Sequence, residues 1–197
     1  MKKLMSLLSF LFITVMVFAQ METKYPEGLK PGDTAPDFNV IDQNGKNIQL
    51  KNLVRDGDVV LVFYRGQWCP YCNKQLSKLN DSLSFITAKG ATVVTITPET
   101  AENIKKTIEK TKVAYSILED KEMKIMKSYK VNFAVDDKTI KQYKNYGIDF
   151  EKANGSNGAN LPVPATYIIG KDGKIKYAFF NPDYRQRASV KEILDNL

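Results

Sequence analysis

Cys69 and Cys72 are the only cysteines in the 197-residue chain, and they sit in the run Trp68-Cys69-Pro70-Tyr71-Cys72. At this spacing on a helix, two thiols share one face about a turn apart and can close an internal disulfide without large backbone movement. The chemistry on offer is attack by one thiolate and resolution by the other, with Cys69 as nucleophile and Cys72 as resolving partner. A passive disulfide explains little, because so short a loop barely constrains the unfolded chain. Structural zinc wants four Cys or His ligands, whereas this chain has two cysteines and no histidine. The same lack excludes a Cys-His hydrolase and an imidazole general base. No metal and no cofactor are assigned.

The elements around the pair would activate it. Val59–Tyr64 is apolar on both faces and reads as a buried parallel strand. Beyond the cysteines, Leu76, Leu79, Leu83 and Ile86 recur at helical spacing, with Gly90 as a stop. The helix therefore starts at Cys69, and Pro70 fits its first turn, where a missing N–H costs nothing. Lowering a thiol pKa from about 8.5 to about 6.5 needs roughly 2.7 kcal/mol of thiolate stabilisation. A helix N-terminus supplies about 0.3–1 kcal/mol, or ~2 when partly buried. The remainder is assigned to the Tyr71 and Cys72 backbone N–H groups and to Arg65, four residues before Cys69.

Length bounds the chain to one domain with a sizeable core. Net charge is +7, but the lysines are interspersed with acids and no nucleic-acid motif accompanies them, so no nucleic-acid partner is expected. Residues 1–19 read as a secretory leader, with Lys2 and Lys3 before the apolar run Leu4–Phe18 and a small residue at Ala19. Fifteen helical residues span about 22 Å, short of a ~30 Å hydrocarbon core, so a permanent membrane anchor is not expected. Residues 20–29 are expected to form a lead-in and 30–197 the domain, in an exported, periplasmic setting where a dedicated partner must keep the dithiol reduced.

Further along, Asn44-Gly45 marks a hairpin between Phe38–Ile41 and Ile48–Leu50. Ala91–Thr97 reads as a strand, Pro98 and Glu99 as a helix start, and Glu102 and Lys106 as a pair across one turn. Tyr115–Leu118 is a strand and Glu122–Lys130 a short helix. Tyr167–Ile169 and Ile175–Phe180 form a hairpin around Asp172-Gly173, and a helix covers Val190–Leu197. Alternating elements closed by an antiparallel hairpin give a mixed α/β layer fold. Between Val131 and Val163 the pattern is irregular apart from a short helix at Thr139–Tyr146. Phe133, Tyr143, Tyr146 and Phe150 would line a groove there or anchor the insertion to the core.

Four segments together resemble the peroxiredoxin-like branch of the thioredoxin fold, the alkyl hydroperoxide reductase/thiol-specific antioxidant family. They are Pro31–Phe38, Tyr64–Cys72, Leu161–Ile169 and Tyr177–Tyr184. Tyr64-Arg-Gly-Gln-Trp-Cys-Pro-Tyr-Cys72 is similar to the active-site segment of a bacterial subgroup. The resemblance implies a mixed central sheet flanked by helices, an N-terminal β-hairpin, and an insertion before a strand led by a cis proline, Pro164. It also implies a supporting set around Cys69 and Cys72, namely Arg65, Trp68, Pro70, Tyr71, Thr97 and Pro164. Where typical peroxiredoxins keep a proline and a threonine ahead of the attacking cysteine, this chain has Val62 and Gly66. Their peroxide-polarising arginine corresponds to Pro164, leaving Arg65 or Arg187 as replacements, and the buried aspartate of thioredoxins corresponds to Phe63.

The implied activity is thiol-dependent peroxide reduction with a thioredoxin-like electron donor. The alternatives are exchange with protein disulfides, suited to a closely spaced dithiol, and a non-catalytic Cu(I) module using both thiolates.

Overall fold

A computed structural model describes residues 25–197, and the expected leader at 1–19 lies outside the described residues. In chain order, β1 (Asn39–Ile41) and β2 (Asn47–Gln49) pair antiparallel around Gly45, whose φ of +80° supplies the expected turn. Helix α1 (Leu50–Asp56) follows at once, where strand was expected to run through Leu50. The inward pair Leu50 and Val54 is its only helical signal. Strand β3 (Val59–Phe63) leads to α2 (Pro70–Asp81) and α3 (Leu83–Ala88). The single expected helix breaks at Ser82, after Asn80 and Asp81, because short polar side chains compete for the backbone's hydrogen bonds.

Strand β4 (Thr92–Thr97), helix α4 (Ala101–Thr111) and strand β5 (Ser116–Glu119) come next. Helix α4 starts at Ala101 rather than Pro98, with Glu99 turned into the interior instead of into a helical first turn. Helix α5 (Lys124–Ser128) continues a 3-10 turn over Lys121–Met123. The stretch expected to be irregular is ordered: β6 (Asn132–Ala134), α6 (Asp137–Asn145), α7 (Phe150–Asn154) and β7 (Asn160–Pro162), with β6 and β7 paired antiparallel. The chain ends with β8 (Ala165–Ile169), β9 (Ile175–Phe180) and α8 (Val190–Asp195), the last opened by a Ser189–Glu192 capping box.

The five-stranded sheet runs β5-β4-β3-β8-β9, with β3 parallel to β4 and antiparallel to β8. Strand β3 is wholly buried, and its alternation serves two cores. Leu61 and Phe63 pack with Tyr129 and Tyr167, while Val60 and Val62 pack with Leu76, Leu79 and Ile104. Among the described residues every peptide bond is trans, which corrects the expected cis bond at Pro164. The chain there runs extended from β7 into β8, with the Val163 N–H bonded to the Val131 carbonyl, and trans is the intrinsically favoured isomer. Among the described residues no helix is long and apolar enough to cross a membrane.

Candidate active site

The site gathers at the C-terminal ends of β3 and β4. The Tyr64 N–H binds the Ile96 carbonyl at 3.0 Å, extending the β3–β4 pairing by one residue before the chain turns through Gly66. The Cys69 N–H then closes a tight turn onto the Gly66 carbonyl at 3.0 Å. Cys69 is the N-cap of α2, its Sγ accepting the Cys72 backbone N–H at 3.4 Å, and Pro70 is the first helical residue. Both thiols are buried, Cys69 at 1% exposure and Cys72 at 0%.

The charge within the pair differs from expectation. Burial alone would raise the Cys72 thiol. It is outweighed by a hydrogen bond from the Cys69 thiol, by the Arg187 guanidinium and by the Arg65 backbone, which bring Cys72 down to about 6. Cys69 moves up instead, chiefly through the proton shared with Cys72 and then through burial. The pair therefore ionises as a unit, with Cys72 shifted down, Cys69 shifted up and one proton shared between them. The cation responsible comes from the loop before α8, with Arg187 Nη2 3.5 Å from Cys72 Sγ.

Arg65 is nearly as buried as the thiols, at 4% exposure. Its guanidinium carbon lies 4.4 Å from the centre of the Tyr184 ring, 5.0 Å from Trp68 and 5.3 Å from Tyr143. Nη2 donates to the Tyr143 hydroxyl, whereas Nε and Nη1 are buried without a partner. A cavity of about 120 Å³ opens beside Arg65, walled by Phe133, Val135, Tyr143, Pro164 and Tyr184. The Arg65 charge acts on Cys69, pulling its pKa down against the larger opposing effects.

Other expected supporting residues are placed differently. Trp68 packs edge-on against Tyr143 and Phe150, so the insertion forms a wall of the site. Of its four aromatics, Tyr146 instead stands 81% exposed. Tyr71 is exposed and packs edge-on against Tyr184. Pro164 lines the Arg65 cavity. Thr97 is fully buried, and its Oγ1 accepts the Glu99 N–H at 3.3 Å.

Glu99 escaped the sequence reading as a site residue. It is fully buried; Oε2 accepts the Gln67 N–H at 2.8 Å, and Oε1 has no partner. Burial first, and the Cys72 charge among the lesser causes, raise its carboxyl to about 8 against the opposing pull of the Gln67 N–H, Lys110 and Lys106. A Cβ on Gly66 would stand 2.7 Å from Glu99 Oε1 and 2.5 Å from Trp68 Nε1, so glycine there makes room for the carboxyl. The sequence signal was available only as an acid beside a strand's C-terminal end, a place where α/β sheets build sites.

The AhpC/TSA family model matches residues 31–178. The chain belongs to the AhpC/TSA family. A 1-Cys peroxiredoxin of Medicago truncatula is 30% identical over 174 residues, covering 85% of this chain and 71% of the relative. The thiol-disulfide oxidoreductase ResA of Bacillus cereus is 26% identical over 150 residues, covering 76% and 69%. In fold, the crystal structure of peroxidoxin BcpB from Mycobacterium tuberculosis superposes with a TM-score of 0.65 at 23% identity, covering 85% of this chain and 96% of that one. As an AhpC/TSA member, the protein is a thiol-based oxidoreductase.

Proposed function

We propose that the protein is a peroxide reductase in which Cys69 attacks the peroxide and Cys72 resolves it to an intramolecular disulfide. The observation that carries this reading is the buried Arg65 guanidinium, which lines a small cavity, keeps two nitrogens without a hydrogen-bond partner, and acts by its charge on Cys69. A peroxide offers two acceptor oxygens, and fixed donors stabilise the charge that grows on the leaving oxygen. The Cys69 proton passes to Cys72 along the hydrogen bond between the thiols, and the Cys69 thiolate takes the near oxygen as the O–O bond breaks. The leaving oxygen takes the proton now on Cys72 and departs as alcohol or water, which leaves Cys72 as a thiolate. Cys72 then displaces hydroxide from the Cys69 sulfenic acid, and a second proton makes it water. Arg65 positions the peroxide, Pro164 walls the cavity, Trp68 packs its ring against the Arg65 guanidinium, Pro70 and Tyr71 shape the helix start, and Thr97 holds the turn leading to Glu99.

A thioredoxin-like protein returns the disulfide to the dithiol. The leader at residues 1–19 supports export, with residues 20–29 as lead-in and 30–197 as the working domain. Exchange with protein disulfides is the second reading, favoured by the Trp-Cys-Pro-Tyr-Cys run and by the ResA relative. Reduced protein mixed with hydrogen peroxide, and separately with a model protein disulfide, separates the two. Disulfide formation by mass, much faster than a free thiol and faster with peroxide, is expected. A peroxide rate no greater than that of free cysteine sinks the peroxidase reading. Cys72→Ser should stop at a sulfenic acid on Cys69.

A further inference from the structure

Peroxide reduction by this site needs two protons beyond the peroxide's own, and the reduced pair holds one. The thiol and thiolate supply both electrons and a single proton, so forming alcohol and water calls for one more. Solvent is poorly placed to deliver it, since both sulfurs are closed off.

Glu99 is the one carboxyl described at this spot. It is fully buried against the Gly66–Trp68 loop that leads into Cys69, with Oε2 on the Gln67 N–H and Oε1 unpartnered. An unpartnered buried carboxyl oxygen is costly when ionised and tolerable when the group is protonated. The groups around it come from every side. They are Tyr64 at the end of β3, Gln67 and Trp68 in the loop, Cys72 on α2, and the exposed Lys106 and Lys110 on α4. The Tyr64 phenol is pushed up by burial, then by Glu99 and, to a lesser degree, by Cys72, so the three groups share one electrostatic neighbourhood.

We propose that Glu99 is the proton store of the dithiol: it holds a proton while the pair carries a thiolate and gives it up when the pair closes to a disulfide. This rests on the peroxide-reductase reading for its reaction, but not for its redox linkage. The step balances. One thiol, one thiolate, the Glu99 acid and the hydroperoxide become a disulfide, the Glu99 carboxylate, an alcohol and water. Two electrons pass from the sulfurs to the O–O bond, one proton comes from Cys69, and the other from Glu99. The buried cluster carries one negative charge before and after, so Arg187 and the two lysines face a constant total. Reduction by a partner dithiol runs the same exchange backwards, with one of the partner's two protons ending on Glu99. Because the coupling is reciprocal, a protonated Glu99 favours the thiolate as much as the thiolate favours protonation.

Infrared difference spectra of the wild-type protein, oxidised by a soluble disulfide at pH 7, test the linkage without peroxide. The expected result is a protonated-carboxyl band in the reduced form that is lost on oxidation. A band that stays, or is absent in both forms, overturns the proposal. Where peroxide reacts, a pH-indicator dye in weak buffer counts solvent protons in a single turnover. Wild type should take up none, and Glu99→Gln one per disulfide formed; uptake of one proton by wild type overturns the store. Failure to react with peroxide while the carboxyl band still follows the redox state would sink the peroxidase reading and leave the store standing.

Discussion

Arg187 Nη2 lies 3.5 Å from Sγ of Cys72, across 115 residues of chain. After the hydrogen bond from the Cys69 thiol, this contact is the main influence that lowers the Cys72 thiol. A helix N-cap alone would favour Cys69, but a fixed guanidinium on a fully enclosed sulfur outweighs the helix end, whose effect is about 0.3–1 kcal/mol and at most ~2.

Arg187→Ala should therefore raise the first ionisation of the pair from about 6 by roughly one to two pH units, the worth of a hydrogen bond to a charged group. Thiolate absorbance followed against pH checks this, and Arg187→Lys should recover part of the shift. A titration unchanged in the alanine variant would show that Arg187 does not hold the charge.

Arg65→Lys keeps a charge but loses the planar fork and its two unpartnered nitrogens. The rate with hydrogen peroxide should fall on the order of a hundredfold, the usual cost of one fixed donor. The rate with a small model disulfide should barely change. Parallel losses with both oxidants would point to a general disturbance of the site.

Glu99 makes the reduced fold pH-sensitive with a definite sign. Its carboxyl is raised from 4.5 to about 8 in the folded protein, so between those values the folded state holds a proton that the unfolded state lacks. Its contribution is full below about 4.5, declines as pH rises through the window, and is lost above about 8. Denaturant unfolding of reduced protein at several pH values should reveal this slope, and Glu99→Gln should flatten it and be the more stable variant at high pH.

Gly66→Ala should destabilise by about 1–3 kcal/mol, because the added methyl meets Trp68 Nε1 and Glu99 Oε1 below 3 Å at a φ of +158°. Threonine, usual at this position in the peroxiredoxins it resembles, should be worse. Thermal unfolding of either variant at wild-type levels would mean that the loop gives way easily.

Much of this was legible in local pattern. The run Val59–Phe63, the helix opened by Cys69 and Pro70, and the Glu102–Lys106 pair at 2.8 Å all depend on neighbours within a turn or a strand. Helix α1, the break at Ser82 and the β6–β7 pair were not legible, because short elements carry too few periods to outweigh their turn-forming residues. Tyr143 and Phe150 were visible as aromatics, but only the insertion's docking decided that they face Trp68.

By itself, the sequence determined that this is a dithiol protein on an α/β sheet, since two cysteines, a proline and a strand-to-helix switch within a dozen residues admit little else. Tertiary structure alone decided that Arg187 reaches Cys72, that Arg65 is buried among aromatic rings, and that Glu99 is buried against the loop before Cys69. Those outcomes depend on burial and on charges brought together from distant parts of the chain, and neither is encoded in residue spacing.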